Sequence, residues 1–548
     1  MKDWTVVIIL ITLCACSSLM VQAEVRHVPE TYPNIQVAVD AALDGDTVLL
    51  AAGTYTGEGN RDISIVDKCL TIMSEGPADL CVLDAEAESW DPHRVFLING
   101  KAQAQINLRN ITVQGGYASP YPDEDAGGCK IQKAHVTLDS CIIRSNFTNT
   151  SSGQGGGIYC NESNLDINNC LFYGNYARSG GGLSCNNSTV NINRTQFVSN
   201  TVESGGGGAI DSVLDSQLTV TDCVFTNNMA DGMMSDGGAI FSAGSFLTVI
   251  RTEMTGNTAR LGGGIRSRST TKIDDCNFSN NTARFAGGGV STYQNDVTIT
   301  NSIFQNNDTE SDISLGGGLY IDVSNFEISN CLITGNSADT GGGIAIHCYE
   351  DPDEPLLMYI TNCTIADNSD EGIYSRIPDT AHINNCIFWN NLRKDIDGSE
   401  DALFDVQYSF VEDGFTGTGN ITGDPLFTTG AGCDYFLSQT ATGQPATSPC
   451  VDSGSSIASE VCIDASTDQF CMDQVSTRQD FSFDTGQVDM GYHAIQPAHG
   501  LELKLNAEIF TPGSTFYLEY MVHNAGSETL NTDIYILLEV YGGYWCYP

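Results

Sequence analysis

An all-β fold, a right-handed parallel β-helix solenoid of about ten coils, is what three observations in this 548-residue sequence predict. A small side chain followed five positions later by asparagine recurs ten times between Cys141 and Asn391. A block of the form Gly-Gly-Gly-Ile precedes most of these copies, at intervals of 25 to 30 residues. Between the blocks, β-branched residues alternate with Asn, Ser and Thr in short runs, with few helical stripes. A chain this long does not close one ordinary core, and 57 Gly against 15 Pro favours an array of short strands and turns.

The first column of the repeat holds Cys141, Cys170, Thr195, Cys223, Thr252, Cys276, Ser302, Cys331, Cys363 and Cys386. Two residues later stands an apolar side chain, phenylalanine in six copies (Phe172, Phe197, Phe225, Phe278, Phe304 and Phe388). Three further on come Asn146, Asn175, Asn200, Asn228, Asn257, Asn281, Asn307, Asn336, Asn368 and Asn391. Apolar pairs upstream, such as Leu218 with Val220 or Val297 with Ile299, complete three short strands per repeat. Such strands bury a face only when coils stack, like residue over like residue, at ~4.8 Å. The apolar columns then form the interior. The Asn column belongs at a bend, as a structural ladder in which each amide bonds its neighbours above and below. The glycines allow positive φ and a tight entry to the next strand.

At the N-terminus, Lys2 precedes an apolar stretch from Val6 to Cys14 and small residues up to Ala23. This predicts a signal peptide over residues 1–23 and export, to the medium or the cell surface. Lipidation within Leu13-Cys14-Ala15-Cys16 is the alternative. No later apolar run reaches the ~18 residues a membrane helix needs, so no integral membrane segment is expected in the mature chain. Residues 24–105 are expected to hold an N-terminal cap and the first coils, 106–395 the repeats, 396–495 an end module, and 496–548 the start of a truncated β-sandwich-like segment. The formal charge of −45 excludes nucleic acid as a main partner and opposes anionic polysaccharide unless a cation bridges the two.

Of 20 cysteines, the seven in the first repeat column interchange with Thr and Ser, which points to packing volume and buried thiols. Cys160 and Cys185 follow the same logic. Disulfides are expected outside the ladder, between Cys69 and Cys81 and among Cys433, Cys450, Cys462 and Cys471, with connectivity open.

The stretch TYPNIQVAVDAALDGDTVLLAAGTYTGE, with a helical stripe through Ile35, Ala38, Val39 and Ala42, resembles the cap and first coil of the pectin-lyase-like β-helix superfamily. That resemblance covers about 28 to 495. The GGAI copies at 207 and 237, with Phe-x-x-Asn, are similar to repeats of chlamydial polymorphic outer-membrane proteins, which are adhesins. GDPLF at 423, SPCVDSG at 448 and DTGQVDMGYH at 484 are similar to the end module of choice-of-anchor β-helix proteins. The resemblances imply a secreted or surface protein, acting as an adhesin or a glycan-binding or structural module. The alternative they imply is a polysaccharide-active enzyme, a calcium-dependent uronate lyase or a glycoside hydrolase. Neither Gly-His-Gly with paired Asp nor Trp-Ile-Asp-His, both family signatures, is present.

Candidate site residues lie on the outward side of the coils. Arg260, Arg266 and Arg284 are expected to cluster as a spot for carboxylated sugar, against a competing reading as surface pairs with Asp274, Asp275 or nearby loop acids. Tyr159, Phe241, Tyr320 and Tyr374 share an outward column and suit stacking on sugar rings. No catalytic set stands out; Asp211 with Arg266 or Arg260 is the weak alternative. No cofactor is expected apart from calcium, for which Asp351 with Asp353 and Asp395 with Asp397 are the oxygen-ligand alternatives. The expected partner is an extracellular polysaccharide or surface glycan.

Overall fold

The structure, a computed structural model, describes residues 23–100, 104–118, 125–148, 152–322, 325–347, 355–430, 433–464, 469–495, 499–505, 518–524, 536–540 and 543–547. The signal-peptide stretch up to residue 22, and Asp351 with Asp353, lie outside the described residues. The chain divides into two compact units, Met1–Leu218 and Thr219–Pro548.

In the first unit, Asn34 opens the short helix Ile35–Ala41 by accepting from the Val37 N–H at 2.9 Å, and Ile35, Ala38 and Val39 bury its inner side. Lys68 closes the other end, donating to the carbonyls of Val39, Asp40 and Ala42 at 2.6, 3.0 and 2.9 Å. Beside it stack parallel strands in strict register. Thr47–Leu50, Leu70–Ser74, Gln105–Arg109, His135–Asp139, Asn164–Asn168 and Thr189–Asn193 form one ladder. Ile63–Val66, Phe96–Asn99, Cys129–Gln132, Ile158–Asn161, Leu183–Asn186 and Ile210–Val213 form another. Cys81–Asp84, Thr112–Gln114, Ile142–Arg144, Leu171–Tyr173 and Gln196–Val198 form a third.

The second unit repeats the plan. Ile240–Ile250 pairs with Ile265–Asp274, and the coils continue through Val290–Tyr293, Leu319–Asp322, Ile344–His347, Ile373–Ser375 and Ile396–Gly398. Val224–Thr226, Glu253–Thr255, Asn277–Ser279, Ile303–Gln305, Leu332–Thr334, Thr364–Ala366 and Ile387–Trp389 stack as the opposing ladder. Both units are therefore parallel β-helices, and apart from the short helix and a few 3-10 turns the described chain is β.

The Asn column sits at the bends. Asn281 gives its backbone N–H and its Nδ2–H to Asn307 Oδ1 at 3.1 and 3.0 Å, and Asn307 does the same to Asn336 at 2.9 and 3.0 Å. Each Nδ2 also returns a bond to the coil before, as Asn281 does to the Met254 carbonyl at 2.8 Å. In the first unit Asn146, Asn175 and Asn200 are joined the same way. The residue before each ladder Asn and before each ladder Cys, Thr or Ser is left-handed; Asn280 and Asp275 have φ of 54° and 53°. Asn, Asp, Ser and Gly dominate there because they tolerate that conformation best. Next to the Phe column, Gly287 has φ of 66°, and a Cβ on Gly288 would come within 2.4 Å of the Gly317 carbonyl oxygen. Only hydrogen fits.

All seven ladder cysteines are buried thiols, and so are Cys160 and Cys185. Cys462 and Cys471 form a disulfide across the antiparallel pair Cys462–Asp464 and Gln469–Cys471. The expected bridge between Cys69 and Cys81 is absent: Cys81 is fully buried in the core, whereas Cys69 lies part-exposed at the turn before Leu70–Ser74. Cys433 and Cys450 also carry free thiols.

After the last coil, the end module folds back on the corners of its own unit. His493 N–H donates to Asn330 Oδ1 at 2.6 Å, Tyr492 N–H to Thr364 Oγ1 at 2.9 Å, and Ser455 N–H to Asn385 Oδ1 at 2.8 Å. Beyond residue 496 the described backbone forms two antiparallel pairs, His499–Leu505 with Leu518–Asn524 and Ile536–Val540 with Gly543–Tyr547.

Candidate functional site

In a strand, alternate residues face out, so Arg266 and Arg268 on Ile265–Asp274 share one face. Phe241, Arg266, Ser291, Tyr320, Ala345, Tyr374 and Asp397 stand in register from coil to coil of the second unit. Two positions further along the same face lie Arg268, Tyr293, Asp322 and His347.

Arg266 is 4% exposed. Its Nη1 donates to Ser291 Oγ at 2.6 Å and to the Thr292 carbonyl at 3.3 Å, and its guanidinium lies 5.7 Å from the Tyr293 ring centre. Its Nε is buried without a partner. Burial pulls this guanidinium below its usual pKa, with Asp236 opposing the shift. Arg260 forms a two-pronged pair with the loop acid Asp236, at 3.0 Å from Nε and from Nη2, which is the competing surface-pair reading for this arginine. Arg268 lies 3.9 Å from the same carboxylate, with its guanidinium 5.8 Å from the Phe241 ring and 6.0 Å from that of Tyr293. Arg284 is exposed and rests over Phe285 at 5.1 Å, apart from this network of ion pairs.

Further along the face, burial raises the Asp322 carboxyl to about 6, opposed by Arg266 and by the Tyr320 hydroxyl, which donates to it at 3.3 Å. The Tyr320 ring lies 6.3 Å from that of His347, whose pKa burial lowers. Sequence reading singled out one outward column and so missed Asp236, Arg268, Tyr293, Asp322 and His347. The period-two rule applied to Arg266, Ser291, Tyr320 and Ala345 points to four of them.

The outward aromatics differ among themselves. Tyr374 and Phe241 are half-buried, whereas Tyr320 is 4% exposed, because a lip of short parallel strands, Thr258–Leu261 and Thr282–Ala286, brings Leu261 and Ala286 against it. In the first unit Tyr159 is 8% exposed; it accepts from Asn186 Nδ2 at 3.1 Å and lies beneath the Lys130 ammonium. Neither buried ring offers a free face. Asp211 belongs to the first unit, is 4% exposed, and has its carboxyl raised to about 7 by burial.

Asp395 and Asp397 take separate partners. Asp395 accepts from Asn391 Nδ2 at 3.0 Å and from the Asp413 N–H at 3.1 Å, while Asp397 pairs with Lys394 at 2.9 Å. Asp452, Asp484 and Asp489 of the end module do converge, with carboxyl oxygens within 4.8 Å of one another. They are already engaged: Asp484 Oδ2 bonds the Asp489 N–H at 2.8 Å and His493 Nε2 at 3.0 Å, and Asp489 accepts from the Asp452 N–H at 2.7 Å and from the Thr477 hydroxyl. Burial beside Asp484 raises Asp489 to about 6.

Residues 195–353 match the family described as the right handed beta helix region. A metabotropic glutamate receptor-like protein R of Dictyostelium discoideum is 32% identical over 201 residues, which are 35% of this chain and 12% of that protein; the chain thus matches a small part of its curated relative. Two solved structures are similar. The catalytic unit of a GH87 alpha-1,3-glucanase from Streptomyces thermodiastaticus shares 12% identity at a TM-score of 0.38, covering 71% of this chain and 66% of that one. The A-module of a mannuronan C-5 epimerase from Azotobacter vinelandii shares 13% at 0.22, covering 68% and 95%. Among the described residues no helix is long and apolar enough to cross a membrane.

Proposed function

We propose that the protein is an exported β-helix module, secreted or held at the cell surface, that binds a carboxylated extracellular polysaccharide on the outward face of its second unit without cleaving it. The buried Nε of Arg266 carries this reading. A charged donor left without a partner costs about 1–3 kcal/mol or more, and a ligand carboxylate docked at the rim beside the exposed Arg268 supplies the counter-charge that this buried guanidinium lacks. Arg268, stacked between two rings at the rim, presents a second cation beside aromatic faces suited to sugar.

The charge of −45 opposes approach of such a polymer, so binding has a signature in salt. Raising ionic strength shortens the Debye length to ~10 Å at 0.1 M and suppresses the long-range repulsion before it weakens the contact itself. Titration calorimetry with oligogalacturonate is expected to show affinity that first rises and then falls with salt. Arg266→Gln is expected to weaken binding at least about tenfold, a change of ~1.4 kcal/mol. Arg109→Gln, on an exposed pair with Asp139 in the first unit, leaves it unchanged. Equal affinity for a neutral xylan, or an unaffected Arg266→Gln, sinks the proposal.

A second reading, action on the polysaccharide, is favoured by the face it shares with Tyr320, Asp322 and His347. A carboxyl raised to about 6 and an imidazole held neutral are suited to proton transfer. With polygalacturonate or alginate plus calcium, that reading expects ultraviolet absorbance from unsaturated ends, abolished by His347→Ala. No absorbance over hours at micromolar protein leaves the binding function alone standing.

A further inference from the structure

The first unit holds a separate polar centre around Asp211. Asp211 is 4% exposed and Asn186 8%, and the Oδ1 atoms of both are buried without a hydrogen-bond partner. Ser184 and Asp211 face each other across neighbouring strands, and Asn186 follows two positions after Ser184 on the same face. Gln154 Oε1 ties the group together, accepting from Ser184 Oγ at 3.2 Å and from Asn186 Nδ2 at 3.3 Å. Ser179, joined to Gln154 by an isolated parallel bridge, sets its hydroxyl on Asp211. The basic residue on this column, Lys130, is engaged elsewhere, with Asp125 at 3.5 Å and over the Tyr159 ring at 5.5 Å. Asp211 Oδ1 and Asn186 Oδ1 are thus buried oxygens without a hydrogen bond on neighbouring strands of one face, and the donor the chain sets on the carboxylate is the neutral hydroxyl of Ser179. Burying such a charge uncompensated is expensive; a proton neutralises it up to about pH 7, and above that pairing or a bound cation must do so.

We propose that Asp211, with Asn186 Oδ1 and the hydroxyl oxygens of Ser179 and Ser184, holds a monovalent alkali cation. All the donors are oxygens, which selects a hard ion over zinc, copper or iron. One carboxylate neutralises one positive charge. A calcium ion at the same place would keep an uncancelled charge in the interior, and its usual sites offer several carboxylates among six to eight oxygens. The site is independent of the glycan face, which lies on the other unit.

Thermal unfolding of the full chain tests this at pH 8 and fixed ionic strength, with choline as the reference cation so that general screening of the −45 charge cancels. Sodium or potassium is expected to raise the midpoint by about 3 °C over choline in the wild type. In Asp211→Asn the rise vanishes, and the variant in choline is more stable than the wild type in choline. Equilibrium dialysis with radiosodium is expected to give one site per chain, displaced by excess potassium if the two share it. Asn186→Ala supplies a second variant, expected to weaken sodium binding several-fold while retaining the carboxylate. Identical behaviour of choline, sodium and potassium overturns the proposal. So does a stabilisation produced by calcium alone, or one that persists in Asp211→Asn.

Discussion

Asn307→Leu is expected to destabilise the second unit by about 4 kcal/mol, although it exchanges one buried side chain for another of similar size. Four hydrogen bonds end on the Asn307 amide: two from Asn281 to its Oδ1, and two from its Nδ2, to the Phe278 carbonyl at 2.9 Å and to Asn336 Oδ1 at 3.0 Å. Leucine leaves the buried Asn281 N–H and the Phe278 carbonyl without those partners, at about 1–3 kcal/mol each. Asn307→Asp separates hydrogen bonding from volume. It preserves shape and the Oδ1 acceptor but turns a carboxylate oxygen toward two other acceptors, so it is expected to be no better than leucine. Native-state hydrogen exchange should show lost protection concentrated in the coils of Asn281, Asn307 and Asn336, because a stacked array loses stability locally. Wild-type protection in Asn307→Asp would mean that the column works by packing alone.

Phe278→Ala is expected to cost about 3–5 kcal/mol. The ring is fully buried and stacks on Phe304 at 4.8 Å between centres and 3° between planes. Met254 occupies the same column one coil earlier, and the backbone of Gly264 lies against the ring edge. Since a Cβ on Gly264 would meet the Gly289 carbonyl at 2.7 Å, the wall behind the ring cannot collapse cheaply into the void. Phe278→Met, which copies the neighbouring coil, is expected to cost about 1 kcal/mol. Denaturation in urea followed by far-ultraviolet circular dichroism compares the two. Equal midpoints would mean that the column tolerates a cavity.

The β-helix was legible because stacking in register turns a structural requirement into a printed column. Cys276, Phe278 and Asn281 are one corner, and its pattern of small, apolar and Asn residues reads in all ten repeats between Cys141 and Asn391. The left-handed residue before each ladder position, such as Asp275 or Asn280, is Asp, Asn, Ser or Gly except at Arg194 and Arg251, a bias the Gly blocks alone did not announce. The candidate site was less legible, because outward residues are not copied from coil to coil. Arg266 was found by its charge, whereas its neighbours Tyr293 and Asp322 stand two positions past the outward column, where the repeat register reaches but no residue type recurs to mark them. Tyr320 reads as an exposed ring until the lip over it is seen, and that lip comes from short strands outside the columns. The Cys69–Cys81 expectation failed for a related reason: spacing along the chain says nothing about which side of a coil a thiol faces.

The Asn ladder also has an electrical sense. Every amide in the column gives its N–H to the oxygen of the amide in the following coil, so the dipoles line up head to tail through the second unit. Like the peptide dipoles of a helix, they leave a partial positive charge at the end where the last N–H points. That end is Asn391, and its Nδ2 meets the carboxyl of Asp395, 2% exposed, at 3.0 Å. Asp395 is thus the counter-charge that closes the column at its positive end.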